Sequence, residues 1–155
     1  MKTLLYVEDD PTDRLLVETA CERARVSFLL KTVESGGEAI RYLGGEGPFA
    51  DRVEHPLPDL IFVDLKMPEM DGFQVLRWIR SHPAIGMTPV ALYTASLIPE
   101  DIAKASSDGA NYFITKPSDL KVLLEIFRAA DKYITADPRY GNSLAQFSEL
   151  ARERP

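Results

Sequence analysis

Acidic residues stand directly after two short apolar runs of this 155-residue chain. Residues 4–7 lead into Glu8 and Asp9, and Leu60–Val63 leads into Asp64. A carboxylate at the end of a buried strand is poorly placed for stability and well placed for chemistry. If the two strands lie side by side, several carboxylates converge at one edge of a sheet. Because like charges repel at close range, such a cluster is expected to require a divalent cation or shifted pKa values.

Two further apolar runs lead to groups of a different chemistry. Thr94 follows residues 89–93, and Lys116 stands shortly after residues 112–114. In open parallel sheets, ligands bind beyond the carboxyl ends of the strands. Carboxylates alone would indicate a cation site, whereas the added hydroxyl and ammonium indicate an anion that arrives with the cation. A phosphoryl group is the obvious candidate for that anion.

The elements that must position these residues alternate along the chain. Strand-like apolar runs occupy residues 4–7, 60–63, 89–93 and 112–114, and residues 28–33 have the weaker alternation of a further strand. Helical patterns begin at Pro11 and cover residues 35–43, 71–81, 99–107 and 118–133. Five strand–helix repeats with continuously apolar strands predict an α/β fold, a parallel sheet covered on both faces.

Local signals support the helix assignments. Asp10 is typical of an N-cap followed by proline at the first helical position, and Ser35 and Glu38 have the spacing of a capping box. Helical spacing also predicts the residues that face the core. These are Val17, Ala20, Cys21 and Ala24 in the first helix, and Phe73, Leu76 and Ile79 or Trp78 in the third.

Composition restricts the class of protein. The length suits one domain, and the net charge of −6 argues against sequence-independent binding to nucleic acid. No apolar run approaches the ~20 residues that span a bilayer, and the N-terminal segment offers no signal-peptide cleavage site. A single cysteine, Cys21, excludes an internal disulfide and fits a reducing compartment. We therefore expect an acidic cytoplasmic protein without a membrane segment.

Read in chain order, Glu8, Asp9, Asp64, Thr94 and Lys116 give a set that resembles the receiver domain of two-component response regulators. The resemblance covers roughly residues 1–133 and implies a doubly wound, flavodoxin-like sheet with strand order 2-1-3-4-5. It also implies that Asp64 is the phosphoacceptor, whose carboxylate attacks phosphorus to form an aspartyl phosphate.

The same resemblance implies a magnesium site. Asp9 and Asp64 would bind Mg²⁺ directly, Glu8 would bind it through water, and the backbone carbonyl of Lys66 would complete the protein ligands. Mg²⁺ would neutralise carboxylates that otherwise destabilise the pocket.

Further residues take their roles from the resemblance as well. Lys116 would pair with one phosphoryl oxygen, and the Thr94 hydroxyl would move to bind another. Phe113 matches the aromatic switch position, which would enter the space that Thr94 vacates. Pro117 would follow a cis peptide bond.

The expected protein is a stand-alone signalling regulator rather than an enzyme, and it assists its own phosphorylation and dephosphorylation. Its phosphodonor would be a histidine kinase or a histidine phosphotransfer protein. The long segment before the third strand and the tail resemble regulators paired with phytochrome-type histidine kinases. The output would be partner binding or homodimer formation through the fourth helix, fifth strand and fifth helix. Residues 134–155 would form a C-terminal extension, in which Leu144, Phe147 and Ala151 could line one side of a short helix.

Three alternatives remain open at this point. A flavodoxin-like carrier shares the architecture, but the acids after the first strand are electrostatically wrong for a phosphate-cradling loop. A hydrolase of the aspartyl-phosphate type normally has two acids two residues apart, whereas Lys66 stands two residues after Asp64. A pseudo-receiver would bind partners without phosphorylation, and the full set of site residues makes this the weaker reading.

Overall fold

Five strands form one parallel sheet in the computed structural model, which describes residues 1–95 and 98–136. The strands are β1 (Thr3–Val7), β2 (Leu29–Val33), β3 (Leu60–Val63), β4 (Val90–Thr94) and β5 (Tyr112–Thr115). Their order is β2-β1-β3-β4-β5, and every neighbouring pair is parallel. The predicted doubly wound α/β fold is therefore confirmed.

Four helices connect consecutive strands as predicted, and a fifth follows the last strand. They are α1 (Pro11–Ala24), α2 (Gly36–Gly44), α3 (Gly72–Ser81), α4 (Pro99–Ser107) and α5 (Leu120–Thr135). Helix α5 begins two residues later than predicted, because Asp119 is its N-cap and accepts a hydrogen bond from the backbone amide of Lys121 at 2.8 Å.

The caps explain where the other helices begin. Asp10 accepts from the Thr12 amide at 2.8 Å, as predicted for an N-cap. The Ser35 hydroxyl accepts from the Glu38 amide at 3.0 Å, while the Glu38 carboxylate accepts from the Glu34 amide instead of closing a capping box. A complete capping box does occur at α3, between Asp71 and Gln74, and sequence reasoning overlooked it.

The core lies on both faces of the sheet because alternate strand residues point in opposite directions. Leu4 and Tyr6 of β1 pack with α1 and α5, and Leu5 and Val7 pack on the opposite face with α2 and α3. All five residues of β1 and all four of β3 are buried. This burial fixes the central strands, so the residues that follow them are held in defined positions.

Most of the predicted inner residues are buried, and two are only partly so. Val17, Ala20 and Cys21 are buried in α1, and Phe73, Leu76 and Ile79 are buried in α3. Ala24, in the last turn of α1, is half-buried. Trp78 is also half-buried and stacks on the ring of His82, so Ile79 is the inner residue of that pair.

The long connection between α2 and β3 contains a short 3₁₀ helix, Gly47–Phe49, and is held by one arginine. The Arg52 guanidinium donates to the carbonyls of Tyr42 and Leu43 at 2.8 Å each and to that of His55 at 3.2 Å. The bonds to Tyr42 and Leu43 satisfy carbonyls in the last turn of α2, where Tyr42 also accepts from the Gly45 amide at 3.1 Å.

The predicted C-terminal extension begins within α5, which runs to Thr135. The short helix proposed on Leu144, Phe147 and Ala151 lies outside the described residues. Within the part of the chain that the structure describes, no helix has the length and apolar character needed to span a membrane.

Candidate functional site

The parallel register brings the two acidic strand ends together. Val7 of β1 pairs with Val63 of β3, and the Asp64 amide donates to the Val7 carbonyl at 3.0 Å. The next residue of each strand is an acid, so Glu8 and Asp64 become neighbours. Carboxylate oxygens of Glu8, Asp9 and Asp64 all lie within 4.8 Å of one another.

Glu8 is the most deeply buried acid of this cluster. Its side chain is 0% exposed, and it accepts hydrogen bonds from the Tyr6 hydroxyl at 2.9 Å and from the Asp10 amide at 3.3 Å. The pKa of Glu8 is raised to about 7, mainly by burial; Asp64 contributes to the rise, and the hydrogen bond from Lys116 opposes it. The Tyr6 hydroxyl has its pKa raised above the ordinary range by burial and by the Glu8 charge, so it stays a donor.

Lys116 directly follows the edge strand β5 and reaches the cluster across the end of β4. Its ammonium Nζ lies 2.5 Å from Glu8 Oε1, 2.7 Å from Asp13 Oδ2 and 3.1 Å from Asp64 Oδ2. Its backbone amide donates to the Thr94 carbonyl at 2.8 Å, which continues the β4–β5 ladder beyond Thr115. Burial alone would lower the pKa of Lys116, but the hydrogen bonds to Asp13 and Glu8 and the charge of Asp64 raise it above its usual range. The ammonium is therefore charged at neutral pH.

Asp13 is a member of the site that sequence reasoning missed. It lies in the first turn of α1, three residues after the N-cap Asp10, and its side chain is 29% exposed. The available signal was topological: a helix that follows β1 begins at the same sheet edge as the strand-end acids. The following residue, Arg14, donates to the Glu8 carbonyl at 2.7 Å and so ties this turn to the acidic strand end.

Thr94 and Phe113 lie at the β4–β5 side of the cluster. Thr94 is the last residue of β4 and is 2% exposed. Phe113 pairs with Leu92 across the two strands and is partly buried against the core beneath α3 and α4. The Thr94 hydroxyl therefore lies at the carboxyl end of the sheet, and the Phe113 ring lies two residue pairs away from that end, on β5.

The loop after Asp64 turns sharply around its carboxylate. The Lys66 amide approaches Asp64 Oδ1 at 3.4 Å, while the Lys66 side chain is exposed. The Gly72 amide donates to the Leu65 carbonyl at 2.9 Å, and a Cβ at Gly72 would lie 2.6 Å from the Asp64 carbonyl oxygen. Gly72 is thus a second residue that sequence reasoning missed, since it lets α3 begin against the Asp64 backbone.

One expectation is corrected. No cis peptide bond occurs within residues 1–95 or 98–136, so the bond between Lys116 and Pro117 is trans rather than cis. The trans form is the ordinary state, favoured by about 0.5–1 kcal/mol even before proline. With this bond trans, the Lys116 ammonium contacts the carboxylates of Glu8, Asp13 and Asp64.

The acidic cluster fits a hard divalent cation. Mg²⁺ prefers carboxylate and carbonyl oxygens at about 2.0–2.1 Å and keeps several waters, so ligands from one or two carboxylates suffice. Three carboxylates from two adjacent strand ends, with oxygens no more than 4.8 Å apart, supply this donor set. Together with the ammonium and the hydroxyl, they can bind a cation and an anion side by side.

Comparisons with known proteins agree with this arrangement. Residues 4–128 match the response regulator receiver domain. Response regulator Rcp1 of Synechocystis sp. is 28% identical over 132 residues, which cover 85% of this chain and 88% of Rcp1.

Solved structures of similar proteins have the same fold. The phosphorylated cyanobacterial phytochrome response regulator RcpA is 32% identical, with a TM-score of 0.77 over 87% of this chain and 94% of that protein. The Mn²⁺-bound form of Rcp1 is 27% identical, with a TM-score of 0.76 over 88% of this chain and 97% of Rcp1. By its sequence, its strand order and the residues at its strand ends, this chain belongs to the receiver-domain family of response regulators.

Proposed function

We propose that this protein is a phosphorylation switch in which Asp64 accepts a phosphoryl group from a histidine kinase or a histidine phosphotransfer protein. One observation carries the proposal: a nearly buried carboxylate, Asp64, lies 3.1 Å from the ammonium of Lys116 and beside two further acids. A nucleophile, a cation-binding cluster and a charge partner for an anion thus meet at one sheet edge.

The transfer forms one bond and breaks one. A carboxylate oxygen of Asp64 attacks phosphorus, and the bond from phosphorus to the imidazole nitrogen of the donor breaks as the new O–P bond forms. The donor nitrogen keeps the electron pair of the broken bond. Asp64 is suited to this step because it attacks as an anion, which needs no general base.

The other residues bind and orient the phosphoryl group. Glu8, Asp9, Asp64 and the Lys66 carbonyl would hold Mg²⁺, which offsets negative charge on the carboxylates and on a phosphoryl oxygen when it is bound. The Lys116 ammonium, already within hydrogen-bond distance of Asp64, would donate to a second phosphoryl oxygen.

Thr94 and Phe113 would carry the signal away from the site. A hydroxyl at the end of β4 can turn toward a phosphoryl oxygen, and the partly buried Phe113 ring can follow it inward. The output surface would then be α4, β5 and α5, and it would bind either a separate receptor or a second copy of this chain. Light scattering before and after addition of beryllofluoride, a phosphoryl mimic, distinguishes the two: a doubled mass indicates self-association.

A phytochrome-type histidine kinase is the proposed phosphodonor. The support is similarity: RcpA is described as a cyanobacterial phytochrome response regulator, and the chain covers 94% of it. We further propose that residues 1–133 form the receiver domain and that residues 134–155 follow it as a C-terminal extension. With a net charge of −6, the protein would act on protein partners rather than on nucleic acid or membrane. The proposed phosphodonor places it in the cytoplasm.

Intact-mass spectrometry with acetyl phosphate and Mg²⁺ tests the phosphoacceptor assignment. Wild-type protein should gain one phosphoryl group that is stable in acid and labile in base, and chelation of Mg²⁺ should prevent it. Asp64→Asn should gain none, whereas Asp59→Asn, altered at the opposite end of the same strand, should be labelled like wild type. Equal labelling of Asp64→Asn would refute the assignment, and an unlabelled wild type would favour a pseudo-receiver.

A further inference from the structure

We propose that Asp13 is a positioning residue that keeps the Lys116 ammonium beside Asp64 when the other carboxylates hold a cation. The inference rests on the proposed function and deepens it. It assigns a role to an acid that lies outside the three-carboxylate cluster but is bonded to the lysine of the site.

The ammonium of Lys116 is fully matched by carboxylates. An ammonium has three N–H donors, and Lys116 Nζ has three carboxylate partners, Glu8, Asp13 and Asp64, at 2.5–3.1 Å. Two of these partners, Glu8 and Asp64, also belong to the cluster that could hold a metal ion. Asp13 is the partner that does not.

Cation binding therefore creates a competition for the same oxygens. A divalent cation beside Glu8 and Asp64 repels the ammonium and takes up negative charge that Lys116 otherwise shares. With Glu8 and Asp64 engaged in this way, Asp13 is the acid that still favours the ammonium in its place. Lys116 then stays near Asp64, where a phosphoryl oxygen would arrive, instead of swinging into solvent.

The backbone around Asp13 is rigid enough for this role. Asp10 caps the first turn of α1 through the Thr12 amide, and Arg14 bonds the Glu8 carbonyl at 2.7 Å. Helix α1 packs against α5 through buried residues such as Val17 and Phe127. These contacts tie the turn that carries the Asp13 carboxylate to the strand end, while its 29% exposure leaves it accessible to solvent.

Two simpler explanations for Asp13 can be separated by experiment. An acid in the first helical turn stabilises the helix through its dipole, and any acid near the cluster attracts cations. Both effects are independent of Lys116. A positioning role, in contrast, requires Lys116, so the effect of Asp13→Asn must disappear in a Lys116→Met background.

The direct test follows the Lys116 ammonium by nitrogen NMR of lysine side chains during a Mg²⁺ titration, with Lys116→Met to assign the signal. In wild type the signal should remain visible at saturating Mg²⁺, because the ammonium stays bonded. In Asp13→Asn it should be lost to exchange with water as Mg²⁺ binds, and Asp13→Glu should retain it. Identical behaviour of wild type and Asp13→Asn would overturn the proposal, and so would loss of the signal in wild type. This readout does not depend on phosphorylation.

The second test measures acetyl phosphate labelling at saturating Mg²⁺, with Glu18→Gln as the matched control that removes one charge from an exposed position of the same helix. Asp13→Asn should slow labelling about tenfold, the scale of one charge-assisted hydrogen bond, and Asp13→Glu should restore most of the rate. Glu18→Gln should label like wild type. An equal slowing by Asp13→Asn in the Lys116→Met background would overturn the positioning role.

A wild type without labelling would instead contradict the proposed function, and the NMR signal of the Lys116 ammonium would still decide the role of Asp13.

Discussion

Glu8→Gln is expected to stabilise the metal-free protein at alkaline pH and to flatten its dependence on pH. Glu8 is 0% exposed, and burial raises the pKa of its carboxyl group to about 7 from the ordinary 4.5. Between these pH values the folded state retains a proton that the unfolded chain has lost. The contribution of Glu8 to the free energy of unfolding is therefore full below about pH 4.5 and is lost as the pH rises through about 7.

The size of this loss follows from the two pKa values. The difference between about 7 and 4.5 is about 2.5 pKa units, and each unit corresponds to about 1.36 kcal/mol. Ionised Glu8 thus costs about 3 kcal/mol of folding free energy, with the favourable contact to Lys116 already included. A glutamine keeps an oxygen that can accept from the Tyr6 hydroxyl, and Lys116 keeps Asp13 and Asp64 as partners.

Urea denaturation followed by circular dichroism, in EDTA at a series of pH values from 4.5 to 8, measures the effect. The free energy of unfolding of wild type should fall relative to Glu8→Gln by about 3 kcal/mol across this range. Glu18→Gln, at an exposed position of α1, should keep the wild-type profile. Parallel profiles for wild type and Glu8→Gln would refute the argument that burial of this carboxyl governs the acid–base behaviour of the site.

Three further outcomes are expected. Gly72→Ala should destabilise the protein by about 1–3 kcal/mol in urea and slow acetyl phosphate labelling, because its Cβ would lie 2.6 Å from the Asp64 carbonyl oxygen. Gly37→Ala should be harmless, because its Cβ would make only an ordinary contact, 4.0 Å from the Ser35 hydroxyl oxygen. Arg80→Ala should lower the free energy of unfolding by about 3 kcal/mol in chemical denaturation, because its partly buried guanidinium donates to three backbone carbonyls and to an asparagine side chain. Arg77→Ala, which breaks a more exposed ion pair, should lower it by less than about 1 kcal/mol. Mg²⁺ at 100 times its dissociation constant should add about 2.7 kcal/mol to the free energy of unfolding of the wild type, measured as a thermal shift. A thermal shift of the same size in Asp64→Asn would contradict a ligand role for Asp64.

Four of the strands were predictable because each is a continuous apolar run followed by polar residues, whereas β2 contains Lys31 and Thr32 and shows only weaker alternation. All five lie within one residue of the predicted bounds, and β3, Leu60–Val63, matches them. In strands that are covered on both faces no alternation is needed, so composition alone identifies the continuously apolar ones. The identity of the strand-end residues then predicted which groups share the functional edge.

Contacts that cross the sheet edge were not predictable in the same way. Asp13 and Lys116 are separated by 103 residues, and their 2.7 Å contact depends on how α1 leaves β1 and how far the lysine side chain extends. Local patterns also misled where two partners compete, as when Glu38 bonds the Glu34 amide rather than completing a box with Ser35. The trans bond before Pro117 belongs to this class, since a proline permits either isomer.

The amino-acid sequence by itself determined the order of the elements, the burial of the central strands and the acids that meet at their ends, since these follow from side-chain polarity and the geometry of parallel sheets. Tertiary structure alone decided how charge is shared within the site: the ammonium of Lys116 lies between three carboxylates, one of them from a helix. The physical reason is that burial is set residue by residue along the chain, whereas electrostatic interaction depends on distances of a few ångströms between residues far apart in sequence.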